Sequence, residues 1–250
     1  MDYMENINRF EALLTSVNRP GMDKLLAFIQ KSDFYTAPAS TKYHLSCNGG
    51  LLQHSLNVFD ALESVLGPIE APKPGERIRY YKVAWNNVAA IEQDSVIIVS
   101  LLHDICKTYF YAKSTRNVKN EQTGKWEKAP YYTVDDKMPL GHGAKSAMII
   151  KQYIDLTTPE MYAIWWHMGY TDVTDPTTAA TLSEAITRYP LILALHTADM
   201  MAARFMESET ENKAEFRRTN GSAAFYASDY ADMPTLPDEP PIFEEATPLC

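Results

Sequence analysis

Residues 96–107 read VIIVSLLHDICK. Six of the first seven side chains are apolar and leave no polar stripe at a helical period. The segment is therefore expected to be the central, buried helix of the fold. It runs into His103-Asp104, with Lys107 following. Adjacent residues on a helix point about 100° apart, so this pair converges on one ion only if the ion lies off the helix side between them. Burying an imidazole and a carboxylate together costs several kcal/mol unless a partner neutralises them. A divalent cation is the natural partner, although a helix-end histidine beside a solvated aspartate satisfies the same dipeptide.

Outward from this helix the pattern stays mostly helical. Phe10, Leu13 and Leu14 share one face, and Leu25, Leu26, Phe28 and Ile29 follow the Pro20-Gly21 break. Asn48-Gly49-Gly50 opens a helix that ends near Gly67-Pro68, followed by a proline-rich loop to Gly75. A helix is expected over about 76–91, with Asp94 capping the next. Between about 110 and 135, aromatic and β-branched residues flank a polar turn at Gly124, the mark of an inserted β-hairpin. Helical patterning resumes at Lys145, Thr158-Pro159-Glu160 reads as the N-cap, N1 proline and acidic first turn of a helix, and two further helices cover about 178–188 and 191–209. The expected fold class is all-α. Residues 1–40 form N-terminal helices packed on the core, 40–210 form the main domain, and 211–250 form an acidic, proline-rich extended tail.

The chain has 250 residues, 46% of them hydrophobic, which suffices for one substantial core. Its net charge of −9 argues against a broad surface for holding long nucleic acids, but not against a small anionic substrate held by a metal and local cations. Three cysteines, Cys47, Cys106 and Cys250, give no disulfide framework, and free thiols suit the cytoplasm. The N-terminus lacks a signal-peptide pattern, and no apolar stretch is long enough to span a bilayer. The expectation is a cytoplasmic protein with no membrane partner.

There are six histidines. His54 in GGLLQHSLNVFD and Asp199 in LHTADMMAAR each interrupt an apolar helical run with a ligand-type side chain. Each alone also fits a satisfied polar group in a core. With His103-Asp104 they make a four-ligand site drawn from three helices. His142 in PLGHGAKSA and His167 in IWWHMGY lie at helix ends beside glycine. They fit ordinary helix-terminal histidines or the ligands of a second metal bridged by Asp104; two metals stabilise both the attacking and the leaving oxygen of a phosphoryl displacement.

The order H…HD…H…H…D resembles the HD-domain phosphohydrolases. The segments GGLLQHSL, LLHDICK, GHGAKSAMI, WWHMG and LHTADMMAAR look closest to the HD domain of bacterial 3′–5′ exoribonucleases and of related small bacterial and phage hydrolases. The match covers roughly 40–205. It implies a helical bundle and metal-dependent hydrolysis of phosphate esters or anhydrides. It also implies His54, His103, Asp104 and Asp199 as ligands of manganese, iron, nickel or cobalt, with His142 and His167 as extra ligands for a second ion. Lys107 matches the lysine that follows the motif. Asp104, Lys107 and His142 are the expected catalytic groups: Asp104 holds the nucleophilic water, Lys107 offsets phosphoryl charge, and His142 or His167 serves as general acid if neither binds metal. The chain departs from the family in having Cys106 where glycine is common. Its first 40 residues look helical and too short for the nucleic-acid-binding module that precedes the exoribonuclease domain, so that module is not expected in them, and its hairpin is longer than a minimal domain needs.

From Lys107 to Lys128 the chain carries Lys107, Lys113, Arg116, Lys119, Lys125 and Lys128 against Glu121 and Glu127. This excess could form a basic lip drawing phosphates to the metal, with Lys107, Lys113, Arg116 and His44 contacting substrate. It equally fits edge lysines that discourage aggregation. Trp165, Trp166 and Tyr170 around His167 fit either base stacking or core packing, and His196 is expected to be structural. Three functions follow: hydrolysis of a small phosphorylated substrate, a nucleotide above all; a 3′–5′ exonuclease on short single-stranded RNA or DNA; and a non-catalytic nucleotide sensor. Oligomeric state is left open.

Overall fold

A computed structural model describes residues 3–69, 80–83, 90–120 and 123–207. The chain order is α1 (Tyr3–Thr15), α2 (Met22–Lys31), α3 (Gly50–Val65), β1 (Leu66–Pro68), β2 (Tyr80–Val83), β3 (Ile91–Glu92), α4 (Gln93–Leu102), β4 (Tyr111–Lys119), β5 (Trp126–Val134), α5 (His142–Lys151), α6 (Thr158–Trp165), α7 (Pro176–Arg188) and α8 (Leu191–Met201). Short 3-10 turns cover Ile105–Lys107 and Gly169–Asp172, and a π-helical turn at Ala202–Met206 follows α8. The architecture is mostly helical with two small antiparallel sheets. The expected tail, 211–250, lies outside the described residues.

Helix α4 is the buried centre, as its apolar sequence requires: every residue from Ser95 to Leu102 is buried. It packs against α1, α3 and α6, while α8 closes over α3 and α6. Phe10, Leu14, Leu25 and Ile29 of the first two helices join the same core. No helix among the described residues is long and apolar enough to cross a membrane.

The hairpin stands where expected, β4 pairing with β5 from Tyr111↔Val134 to Lys119↔Trp126. The helix expected over 76–91 is not found in its described parts. Tyr80–Val83 and Ile91–Glu92 are strands of a three-stranded sheet with Leu66–Pro68. The Tyr-Tyr-Lys-Val run suits a pleated surface better than a helix, and Tyr81 is buried with its hydroxyl donating to Glu63. Helix α4 starts earlier than expected, at Gln93 with Glu92 at its N-cap position, so Asp94 is not its cap. Asp94 lies in the first turn and accepts the backbone N–H of Asn18 at 3.0 Å.

The cap of α6 falls one residue earlier than expected. Thr157 and Glu160 form a reciprocal capping box. Glu160 is fully buried and also accepts Arg19 Nη1 at 2.6 Å, Arg19 Nη2 at 2.9 Å and Ser95 Oγ at 2.7 Å. It thus ties the N-terminal segment, α4 and α6 together. Breaking a buried pair by removing one partner costs roughly 3–5 kcal/mol. Arg19→Ala is expected to lose stability on that scale in urea unfolding, and a loss below about 1 kcal/mol would reject the tie.

Candidate metal centre

Four segments bring the ligand-type groups together. His54 comes from the middle of α3, His103 and Asp104 from the end of α4, His167 from the residues after α6, and Asp199 from α8. His54, His103, Asp104 and His167 are buried. His54 Nε2 lies 3.2 Å from Asp199 Oδ1 and 3.7 Å from Asp104 Oδ2. His103 Nε2 is 3.5 Å from Asp104 Oδ2, and His167 Nε2 is 3.7 Å from Asp104 Oδ1. Within the sets His54, His103, Asp104 and His103, His167, Asp199, one ligand atom from each residue lies within 4.8 Å of the others.

The backs of the three imidazoles fix their tautomers. His103 Nδ1 donates to Ser100 O at 2.8 Å, and His167 Nδ1 to Ile164 O at 2.7 Å. His54 Nδ1 donates to Glu207 Oε1 at 2.9 Å. In the neutral rings, all three Nε2 lone pairs therefore face the cluster, where they are buried without a hydrogen bond. Buried nitrogens of this kind beside two carboxylates could hold a metal ion. The residues fit such an ion.

The charges without metal follow from the same geometry. Burial pushes the His54 pKa down, but Glu207 and Asp199 outweigh it and hold it up at about 10. Burial dominates at His103 and lowers it to about 4. Burial opposes ionisation of Asp104 and Asp199, yet Lys107, His103 and His167 hold Asp104, and His54 and His103 hold Asp199, well below the usual carboxylate range. Lys107 Nζ lies 2.6 Å from Asp104 Oδ2.

Glu207 escaped the sequence reading. Eight residues beyond Asp199, it would sit about 12 Å along and about 80° around an unbroken α-helix. The π-helical turn, closed by Glu207 N–H donating to Ala202 O at 3.0 Å, interrupts that course, and Glu207 meets α3, where Asn57 Nδ2 also donates to Oε1 at 3.0 Å. A carboxylate behind a ligating histidine fixes its orientation and raises its basicity, and losing one typically costs about 10–100-fold in metal affinity. Glu207→Gln is expected to weaken manganese binding on that scale in calorimetric titration. Unchanged affinity would mean that Glu207 serves the fold alone.

The cluster opens into a cleft of about 650 Å³, with His44, His54, Asp104, Lys107 and Asp199 in its wall. The loop carrying His44 returns tightly to α3: a Cβ on Gly50 would lie 2.0 Å from Leu45 O. His44 and His54 rings lie 4.9 Å apart, and burial lowers the His44 pKa to about 4. His44 and Lys107, both expected to contact substrate, line the cleft.

Lys113 and Arg116 do not line the cleft. They lie on the hairpin, Lys113 over the Tyr132 ring at 6.0 Å and Arg116 over Tyr131 at 5.5 Å. Lys42 and Arg204 line the cleft instead, and both are surface cations with no sequence mark. His196, expected to be structural, does both: its Nδ1 donates to His167 O at 2.7 Å, and it lines the cleft. Gly169, at φ +58°, makes room for it, since a Cβ there would lie 2.6 Å from the ring.

His142 stands beside the cluster without joining a ligand set among the described residues. Its Nδ1 faces Cys106 Sγ at 3.6 Å and its ring packs on Phe110. Cys106 is a buried core residue, and burial pushes its thiol up to about 12, so it stays protonated. Trp166 packs against the core, while Trp165 and Tyr170 are exposed.

Comparison with protein-family models, curated proteins and solved structures finds no match for this chain.

Proposed function

We propose that this chain is a metal-dependent phosphohydrolase of the HD-domain type that cleaves a phosphoester or phosphoanhydride bond of a nucleotide. The observation that carries the reading is the convergence of His54, His103-Asp104, His167 and Asp199 on one cluster, of which His54, Asp104 and Asp199 reach the cleft wall, with three buried Nε2 atoms turned inward. A divalent ion held there supplies charge to phosphoryl oxygens and acidifies a water. Lys107, paired with Asp104 in the cleft wall, gives the substrate phosphate a cation next to the ligands. Lys42 and Arg204 add positive charge to the lining. His196 lies in the wall, so the proton for the leaving group falls to it more readily than to His142, which does not line the cleft.

A second reading, a 3′–5′ exonuclease on short single strands, is favoured by the basic hairpin that starts four residues beyond Lys107. Product analysis by mass spectrometry separates the two. The purified protein with Mn²⁺ would be given nucleoside mono-, di- and triphosphates, cyclic nucleotides, a guanosine tetraphosphate and a short RNA, with Asp104→Ala as control. Turnover of one mononucleotide class, absent in the variant, supports the first reading, and a ladder of shortened RNA supports the second. Silence across the panel, with metal bound, rejects both and leaves a sensor.

A further inference from the structure

The register of the β4–β5 hairpin sorts its side chains by face. Side chains alternate across a strand, and directly paired residues share a face. Lys113 with Tyr132 and Lys119 with Trp126 are cross-strand pairs on one face, and Lys128 and Tyr111 belong to that same face. No acidic residue lies on it. The one acidic residue of the two strands, Glu127, pairs with Val118 on the opposite face. Three lysines thus share an acid-free face in a chain of net charge −9.

That face is also the open one. Lys113, Lys119 and Lys128 are exposed, and Trp126 is 69% exposed, the largest such value of any aromatic residue among the described residues apart from Phe205. The opposite face is mostly half-buried. Aggregation control accounts for edge lysines, but not for a bare indole beside them. The ribbon is anchored next to the metal centre: ring contacts run from His142 to Phe110 at 5.7 Å, from Phe110 to Tyr111 at 4.9 Å, and from Tyr111 to Tyr132 at 6.5 Å. The strands extend about 30 Å from there, within the reach of sites that take about 4–16 nucleotides.

The geometry points to this face as a binding strip for single-stranded nucleic acid, with lysines on phosphates and Trp126 and Tyr132 stacking on bases. The exposed indole of Trp126, with the half-buried Tyr132 ring on the same face, selects a single strand over a duplex, whose bases are already stacked, and over an acidic peptide, which offers few rings to stack. The acidic remainder of the chain limits the footprint to the ribbon. The inference goes beyond the hydrolytic reading, because binding at this face needs no metal.

The test uses the full chain in EDTA, with a fluorescein-labelled 12-nucleotide oligouridine, a duplex of equal length and polyglutamate. Micromolar binding of the single strand is expected, with a log–log salt slope near about −2 for three phosphate contacts. Trp126→Ala is expected to weaken it about tenfold. A matched pair tests the face: Thr115→Glu, on the lysine face, is expected to weaken binding several-fold, and Ser114→Glu, on the other face, to leave it nearly unchanged. Thermal melts of each variant report folding, and the exposed Trp126→Ala stands as the second test if Ser114→Glu melts early. Absence of single-strand binding, equal binding of duplex or polyglutamate, or equal effects of the two glutamates would overturn the proposal. Because the metal is absent, failure here leaves the hydrolytic reading intact, and failure to hydrolyse leaves this one intact.

Discussion

Asp104→Asn is expected to bind manganese more than a hundredfold more weakly than the unmodified protein and, on the hydrolytic function proposed above, to lose hydrolysis by at least about a thousandfold. The first figure exceeds the roughly 10–100-fold typical of groups behind a ligand, because Asp104 lies among the ligands themselves. The second corresponds to about 4 kcal/mol, the several kcal/mol that a bound ion contributes to transition-state charge. Asp104 touches more of the cluster than its neighbours do: His54, His103, His167 and Lys107 all approach its carboxylate. The variant should also be less stable by roughly 3–5 kcal/mol, since Lys107 loses its anion in a mostly buried position. A double variant separates the two effects. Asp104→Asn with Lys107→Met removes both partners, so stability should recover while metal binding does not. Metal retained by the double variant would refute the ligand role of Asp104.

The parts of this site that were legible in the sequence share one property. His54, His103 and Asp199 each break an apolar helical run, and that contrast is visible along the chain. Their meeting in space follows from the packing of α3, α4 and α8, which the apolar faces of those helices dictate. Glu207 offers no such contrast. It lies past the end of α8, in a π-helical turn that no helical period describes. Lys42 and Arg204 are ordinary surface cations until the fold brings a loop and the π-helical turn to one cleft.

The hairpin shows the converse limit. Its existence was legible from β-branched and aromatic residues around Gly124, and its basic excess from simple counting. The sequence reading nevertheless sent Lys113 and Arg116 to the same lip. Register decides otherwise: three positions apart on one strand, they point to opposite faces. The strand at Tyr80–Val83 was missed for a related reason. It is four residues long and pairs with partners on both sides, so its support is tertiary rather than local.

Metal affinity should rise steeply with pH, and the stability of the metal-free protein should move the other way. His54 is held at about 10 by Glu207 and Asp199, so at pH 6 to 8 its imidazole is charged. A metal must displace that proton to reach Nε2. Apparent affinity should then grow about tenfold per pH unit, near a hundredfold from pH 6 to pH 8, with at least one proton released per ion. Calorimetry in buffers of different ionisation enthalpy counts those protons directly. In the metal-free protein the same group has the opposite sign. Its folded pKa lies above the unfolded value of about 6.5, so its contribution to stability is complete below that value and is lost as pH rises toward about 10. The lowered carboxyls Asp104, Asp199 and Glu207 stabilise above their unfolded pKa values and lose that contribution only in acid. Between pH 7 and 9, metal-loaded and metal-free protein should therefore diverge in thermal stability. Parallel pH profiles with and without manganese, or an affinity flat from pH 6 to 8, would mean that His54 is not the proton that the metal displaces.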